Sequence, residues 1–140
     1  MKKYVAILGI LSIFSTSAHT ETCAGGAGTV IYGNDADPVI GFEGTPYCKS
    51  NTVMNWWSAF AWCDAIGGEL IDLTTECNKV SGSSGCPNLA GTGSGNAWTR
   101  NVVNDKVAYY IKFPSAEVYY NLSHPRSSTP ASSMCVNFKY

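Results

Sequence analysis

Residues 54–73, MNWWSAFAWCDAIGGELIDL, decide how the rest of the chain is read. The pairs Trp56/Phe60, Ala59/Cys63 and Trp62/Ile66 are apolar at helical spacing, so the stretch predicts a helix over residues 54–67. With so many large rings, this helix is expected to bury more than one side, and Trp56, Trp57, Trp62 and Trp98 are all expected in the core. Thr52 or Asn55 offers an oxygen to an orphan amide at the helix start, and Gly67 suits the left-handed residue that closes a helix. Leu70, Ile71 and Leu73 follow as a short core strand.

N-terminal to the helix, residues 23–44 are glycine-rich and hold two short β-type runs, 29–32 and 39–42, separated by GNDADP. Asn, Asp, Gly and Pro supply turn chemistry, so a hairpin is expected. Asn34, Asp35, Asp37 and Glu43 offer oxygens, but the spacing is not that of an EF-hand loop, and a plain Asx turn is the expected reading. C-terminal to the helix, periodicity disappears over residues 74–95, a Gly/Ser/Thr/Asn loop with one helical turn at its start. A strand is expected over 96–101, carrying Trp98 inward. A hairpin is expected from 107–113 and 117–122, and a last strand from Met134.

The chain has 140 residues, enough for one domain. Lys2 and Lys3, the apolar run 4–14 and the small residues Thr16 and Ala18 read as a cleaved secretory signal over 1–18, leaving a single domain over 19–140. Without the two signal lysines, seven basic residues face ten acidic ones, a net charge of about −3. No basic cluster remains, which argues against nucleic acid or an anionic membrane as partner. The apolar run is too short for a spanning helix, so no membrane insertion is expected. The location read from this is secreted, periplasmic or extracellular.

Six cysteines, Cys23, Cys48, Cys63, Cys77, Cys86 and Cys135, lie beyond the signal and read as a disulfide framework with 15 possible connectivities. Cys77 and Cys86 suit a local clip within the loop. If Cys23 pairs with Cys48, the N-terminal hairpin is tied to the body, leaving Cys63 and Cys135. No CxxC pair exists, and His19 and His124 lie apart from the cysteines, so no metal is expected.

The pattern W-x-x-A-x-x-x-C followed by G-G-x-L, carried here by Trp56, Ala59, Cys63, Gly67, Gly68 and Leu70, resembles that of the C-type lectin-like domain. The glycine-rich loop, the WT-type strand, the hairpin and the late cysteine extend the resemblance over the whole of 19–140, closest to short secreted bacterial members. The resemblance implies an α+β fold, one main helix packed on short antiparallel strands with a long disulfide-clipped loop. It also implies the pairs Cys63–Cys135 and Cys23–Cys48. The Glu-Pro-Asn or Gln-Pro-Asp and Trp-Asn-Asp triplets of calcium-dependent sugar binders are absent, so calcium is not carried over and no cofactor is expected.

For function, the reading is non-enzymatic recognition of a glycan or protein on a cell surface. Candidate ligand-binding residues are Arg100, Tyr110, Tyr119, Asn121, His124 and Arg126, because exposed aromatic and Arg side chains dominate binding surfaces. No catalytic residue is assigned: His124 lies in a polar loop and no strained G-x-S-x-G elbow is present. Two alternatives remain. One is a structural or assembly subunit of a surface structure. The other is an enzyme like the formylglycine-generating sulfatase activators, which needs a reactive cysteine pair.

Overall fold

The computed structural model describes residues 20–80, 85–120 and 130–140. The expected signal over 1–18 therefore lies outside the described residues. Eight strands form one mixed sheet: β1 (Thr22–Cys23), β2 (Gly28–Tyr32), β3 (Pro46–Met54), β4 (Glu69–Leu70), β5 (Asn96–Val102), β6 (Ala108–Lys112), β7 (Glu117–Tyr119) and β8 (Ala131–Val136). Their order is β1-β2-β3-β8-β5-β6-β7, with β4 pairing on β8. All pairings are antiparallel except β5 with β8, where Ala97 lies beside Ser132. Two α-helices accompany the sheet, α1 (Trp56–Ala65) and the single turn α2 (Leu73–Glu76).

This corrects the expected α+β, C-type lectin-like arrangement of one main helix on short strands. The sheet is the scaffold, and α1 covers part of one face. The physical reason lies in β8. Its Ala131, Ser132 and Ser133 look like loop sequence, yet all six residues of the strand are buried. Small side chains let α1 and both neighbouring strands approach closely. The buried Ser133 hydroxyl donates to the Ala59 carbonyl at 2.8 Å, and its amide donates to Ser50 Oγ at 2.8 Å. Polar groups satisfied in this way can be buried at little penalty.

Helix α1 begins where Asn55 Oδ1 accepts from the Ser58 amide at 2.8 Å, and Gly67 follows its end with a φ of +71°. Only one stripe is buried: Trp56, Ala59 and Cys63. Trp57 is 57% exposed and Phe60 42%, against the expectation of burial on several sides and of a core role for Trp57. Trp56 packs edge-on against Trp57 with ring centroids 4.8 Å apart, so these rings cover one another where the sheet does not.

The N-terminal hairpin also differs from expectation. β2 pairs with β3, not with residues 39–42. Val39 donates its amide to Asp37 Oδ1 at 3.0 Å, an Asx turn, and its side chain is 91% exposed. Alternation along β2 and β3 separates the two faces. Val30 and Cys48 join Trp56, Cys63, Trp98 and Cys135 under α1. Tyr47 joins Ile71, Leu89, Ile111, Phe113 and Met134 on the opposite face, under the loop held by Cys77 and Cys86. Fully buried side chains such as Ile111 and Met134 each contribute roughly 1.5–3 kcal/mol.

Three disulfides are present: Cys23–Cys48, Cys63–Cys135 and Cys77–Cys86. Cys48 and Cys135 are opposite one another across β3 and β8, so the first two bridges lie side by side beneath α1. The strand over 96–101 and the hairpin of 107–113 with 117–122 correspond to β5, β6 and β7.

Candidate functional site

Of the expected ligand residues, the described ones fall in two places. Tyr110 and Tyr119 face each other across β6 and β7, stacked at 6.1 Å with 20° between the rings. Tyr119 is 38% exposed, donates its hydroxyl to Glu117 Oε2 at 2.7 Å, and has Lys112 Nζ 5.6 Å from its ring centroid. That hydrogen bond to Glu117 raises the Tyr119 pKa. Arg100 belongs elsewhere: its Nε is 3.9 Å from Asp72 Oδ2, and it lines a small cavity with Phe60, Asp64 and Glu69. Asn121, His124 and Arg126 lie outside the described residues.

A larger concavity, about 700 Å³, opens on the face opposite α1. Thr29 and Ile31 of β2, Lys49 and Asn51 of β3 and Ser132 of β8 form its floor, and residues 91–94 of the clipped loop form its wall. Chain direction explains the loop: after Cys86 the turn Pro87–Leu89 buries Leu89, and Gly91 donates its amide to Pro114 O at 2.7 Å, leaving residues 92–95 to pass over β2 and β3. Lys49 Nζ reaches across the groove to donate to the Ser94 carbonyl at 2.9 Å. Burial lowers the Lys49 pKa. Thr29 Oγ1 donates to Asn51 Oδ1 at 2.8 Å, and Asn51 Nδ2 donates to Gly26 O at 3.1 Å.

Beside the groove lies a buried polar network. Tyr47, fully buried on β3, donates its hydroxyl to Glu76 at the end of α2. Asn88 Nδ2 donates to the same Tyr47 oxygen at 2.8 Å. Lys79 Nζ bridges Glu76 Oε2 at 2.8 Å and Thr45 Oγ1 at 3.0 Å, and Thr45 donates to Asp35 Oδ2 at 2.6 Å. Burial, followed by the bond to Glu76, raises the Tyr47 pKa far above its ordinary value. Burial pushes the Asp35 pKa up, but the Thr45 hydroxyl and amide bonds and the Lys79 charge outweigh it and hold the pKa below the usual range. Tyr47 has one proton, given to Glu76, so its oxygen must accept from the Asn88 amine. That fixes the carboxamide and leaves Asn88 Oδ1 without a partner among the described residues. A Cβ on Gly33 would lie 2.7 Å from the Asn88 amide, so only glycine fits this close approach.

The polar side chains of GNDADP serve the fold. Asn34 Nδ2 donates to the Pro87 and Ala90 carbonyls at 2.8 Å each, Asp35 accepts from Thr45, and Asp37 accepts from Val39. Among the described residues no three His, Cys, Asp or Glu side chains converge on a metal position.

Sequence reasoning missed both the groove and the network. Lys49, Ser94 and Ser132 come from three distant segments, and only the Cys77–Cys86 clip hints that the loop folds back. Nothing in the local sequence marks Tyr47, Glu76 and Asn88 as partners.

All six cysteines are disulfide-bonded, which marks an oxidising, non-cytoplasmic environment. No helix among the described residues is long and apolar enough to cross a membrane. No family model matches the chain, and no curated protein matches it.

Proposed function

We propose that this chain is a secreted, non-enzymatic recognition module that binds a surface glycan in the groove between β2, β3 and residues 91–94, without calcium. The observation that carries this reading is the groove's lining. Its polar part is hydroxyls, an amide and one ammonium, the groups that pair with sugar hydroxyls. Its volume of about 700 Å³ falls within the range of small-ligand sites. Among the described residues that line it, Lys49 is the one charged side chain, and none is a carboxylate that could serve in acid–base chemistry. The absence of free cysteines weighs against the thiol-dependent enzyme.

The test is an array of oligosaccharides and matrix proteins probed with the full chain in calcium and in chelator. Saccharide binding retained in chelator is expected. Silence on every saccharide would remove the reading, and silence combined with concentration-dependent oligomers would favour the assembly role. A second reading, protein contact through the β6–β7 hairpin, draws on the stacked Tyr110 and Tyr119, the latter 38% exposed. A protein hit abolished by Tyr119→Ala would establish it.

A further inference from the structure

We propose that the groove selects acidic saccharides, carboxylated or sulfated, through Lys49 at its floor. This rests on the reading of the groove as a glycan site and adds the ligand's charge.

Three observations converge on Lys49. Among the described residues lining the groove it is the one charged side chain, with neither Asp nor Glu in that lining. Its ammonium gives one hydrogen bond, to the Ser94 carbonyl, and makes no ion pair with any described carboxylate. An ammonium has three donors, so two remain for a ligand. The cation is held in place, because its stem crosses towards Phe113, whose ring centroid is 6.0 Å from Nζ.

The setting gives that charge unusual weight. The whole chain carries a formal net charge of −1, so a cation at the floor of a groove with no ion pair to a described carboxylate is the local exception to an acidic molecule. Half-buried positions are screened less than exposed ones. Burial lowers the lysine's pKa, the mark of an ammonium that has lost water without gaining a counter-charge. An incoming carboxylate or sulfate supplies that counter-charge. Around it, Thr29 Oγ1 and the Ser132 hydroxyl at the floor can pair with ring hydroxyls, which sets a saccharide apart from a simple anion. Lys is a point charge rather than a planar fork, so both anions suit it.

The experiment compares neutral, carboxylated and sulfated forms of one oligosaccharide series by titration calorimetry on the full, disulfide-bonded chain. Acidic forms are expected to bind at least tenfold more tightly than the neutral form. Raising salt from about 0.05 M to about 0.5 M should narrow the difference without erasing it, because a half-buried contact is only partly screened. Lys49→Met should abolish the preference and Lys49→Arg should keep it, with melting temperatures near that of the parent. Amide shifts of the unaltered protein provide a check independent of any variant: an acidic saccharide should perturb Thr29, Asn51 and Thr92. Equal binding of neutral and acidic forms would overturn the charge selection while leaving the glycan site standing. Perturbation confined to Tyr110 and Tyr119 would overturn the placement. Binding of no saccharide would overturn both. The relative affinity of the carboxylated and sulfated arms identifies the anion.

Discussion

Lys49 and Lys79 sit in nearly identical settings at first sight. Each ammonium lies 6.0 Å from the centroid of a buried aromatic ring, Phe113 for one and Tyr47 for the other, on the same face of the sheet. Their partners differ. Lys79 is clamped by the buried Glu76 carboxylate and the Thr45 hydroxyl, within a network that also holds Tyr47, Asn88 and Asp35. Lys49 has one carbonyl. The first lysine is committed to a buried carboxylate and a hydroxyl within the fold, so its charge serves stability. The second keeps unused donors at the edge of solvent, so it can bind. The comparison teaches that spare hydrogen-bonding capacity, more than charge, separates a structural cation from a ligand-facing one.

Glu76→Ala is the strongest way to break that comparison. It leaves Lys79 facing a void and removes the acceptor of the Tyr47 hydroxyl, at a residue only 3% exposed. The stranded Tyr47 hydroxyl costs about 1–3 kcal/mol, and the Lys79 ammonium, its side chain 27% exposed, adds about 1 kcal/mol on losing its counter-charge. Denaturant unfolding should show a loss of that order, and a loss under about 1 kcal/mol would mean that the network is ornamental.

Tyr47→Phe comes next. It leaves the Asn88 amine without its acceptor, and an unsatisfied buried group should cost about 1–3 kcal/mol. It also changes the response to alkali. In the unfolded chain Tyr47 ionises near the ordinary tyrosine value of 10.0, whereas burial and the bond to Glu76 keep it protonated well above that in the fold. Above pH 10 the native state therefore binds more protons than the unfolded state. The tyrosine's contribution is full below that pH and falls as pH rises. The parent should lose stability more steeply than Tyr47→Phe above pH 10, and parallel curves would refute the assignment. Tyr32, hydrogen-bonded to Glu21 at 2.5 Å, contributes equally to both curves and cancels in the comparison.

Local chemistry was legible in the sequence where one stretch carries its own signal. The core of α1, the Asn55 cap among its two candidates, the turn at Gly67, β5 with its buried Trp98 and the β6–β7 hairpin all follow from spacing within a few residues. What was not legible depends on distant partners. Residues 39–42 look like a strand, but their would-be partner β2 pairs with β3 instead, whose polar Lys49, Ser50 and Asn51 carry no apolar alternation to mark it. The Ala-Ser-Ser of β8 looks like a loop because nothing local reveals that Ala59 O and Ser50 Oγ will satisfy Ser133. The helix was expected to dominate because its rings are large, yet ring size gives no information about which side the sheet covers. The candidate site was illegible for the same reason: the tyrosines are neighbours along one hairpin, whereas the groove draws its floor and wall from residues 29 to 132.

The finest test of the comparison substitutes methionine for each lysine in turn. Methionine keeps the unbranched stem over the aromatic ring and removes only the charge, so the two variants isolate what the ammonium does. Lys79→Met removes the counter-charge of the Glu76 carboxylate, which keeps the Tyr47 hydroxyl as a donor, and losing a pair whose lysine side chain is 27% exposed should cost about 1–2 kcal/mol. Lys49→Met surrenders one hydrogen bond to a carbonyl but also relieves a half-buried charge that has no counter-ion, two effects of opposite sign. Its stability should stay within about 0.5 kcal/mol of the parent. Unfolding curves that shift equally for the two variants would dissolve the distinction between them and make Lys49 as structural as Lys79. A Lys79 variant that unfolds earlier beside a Lys49 variant that does not would leave ligand contact as the role for which the groove lysine's charge is held.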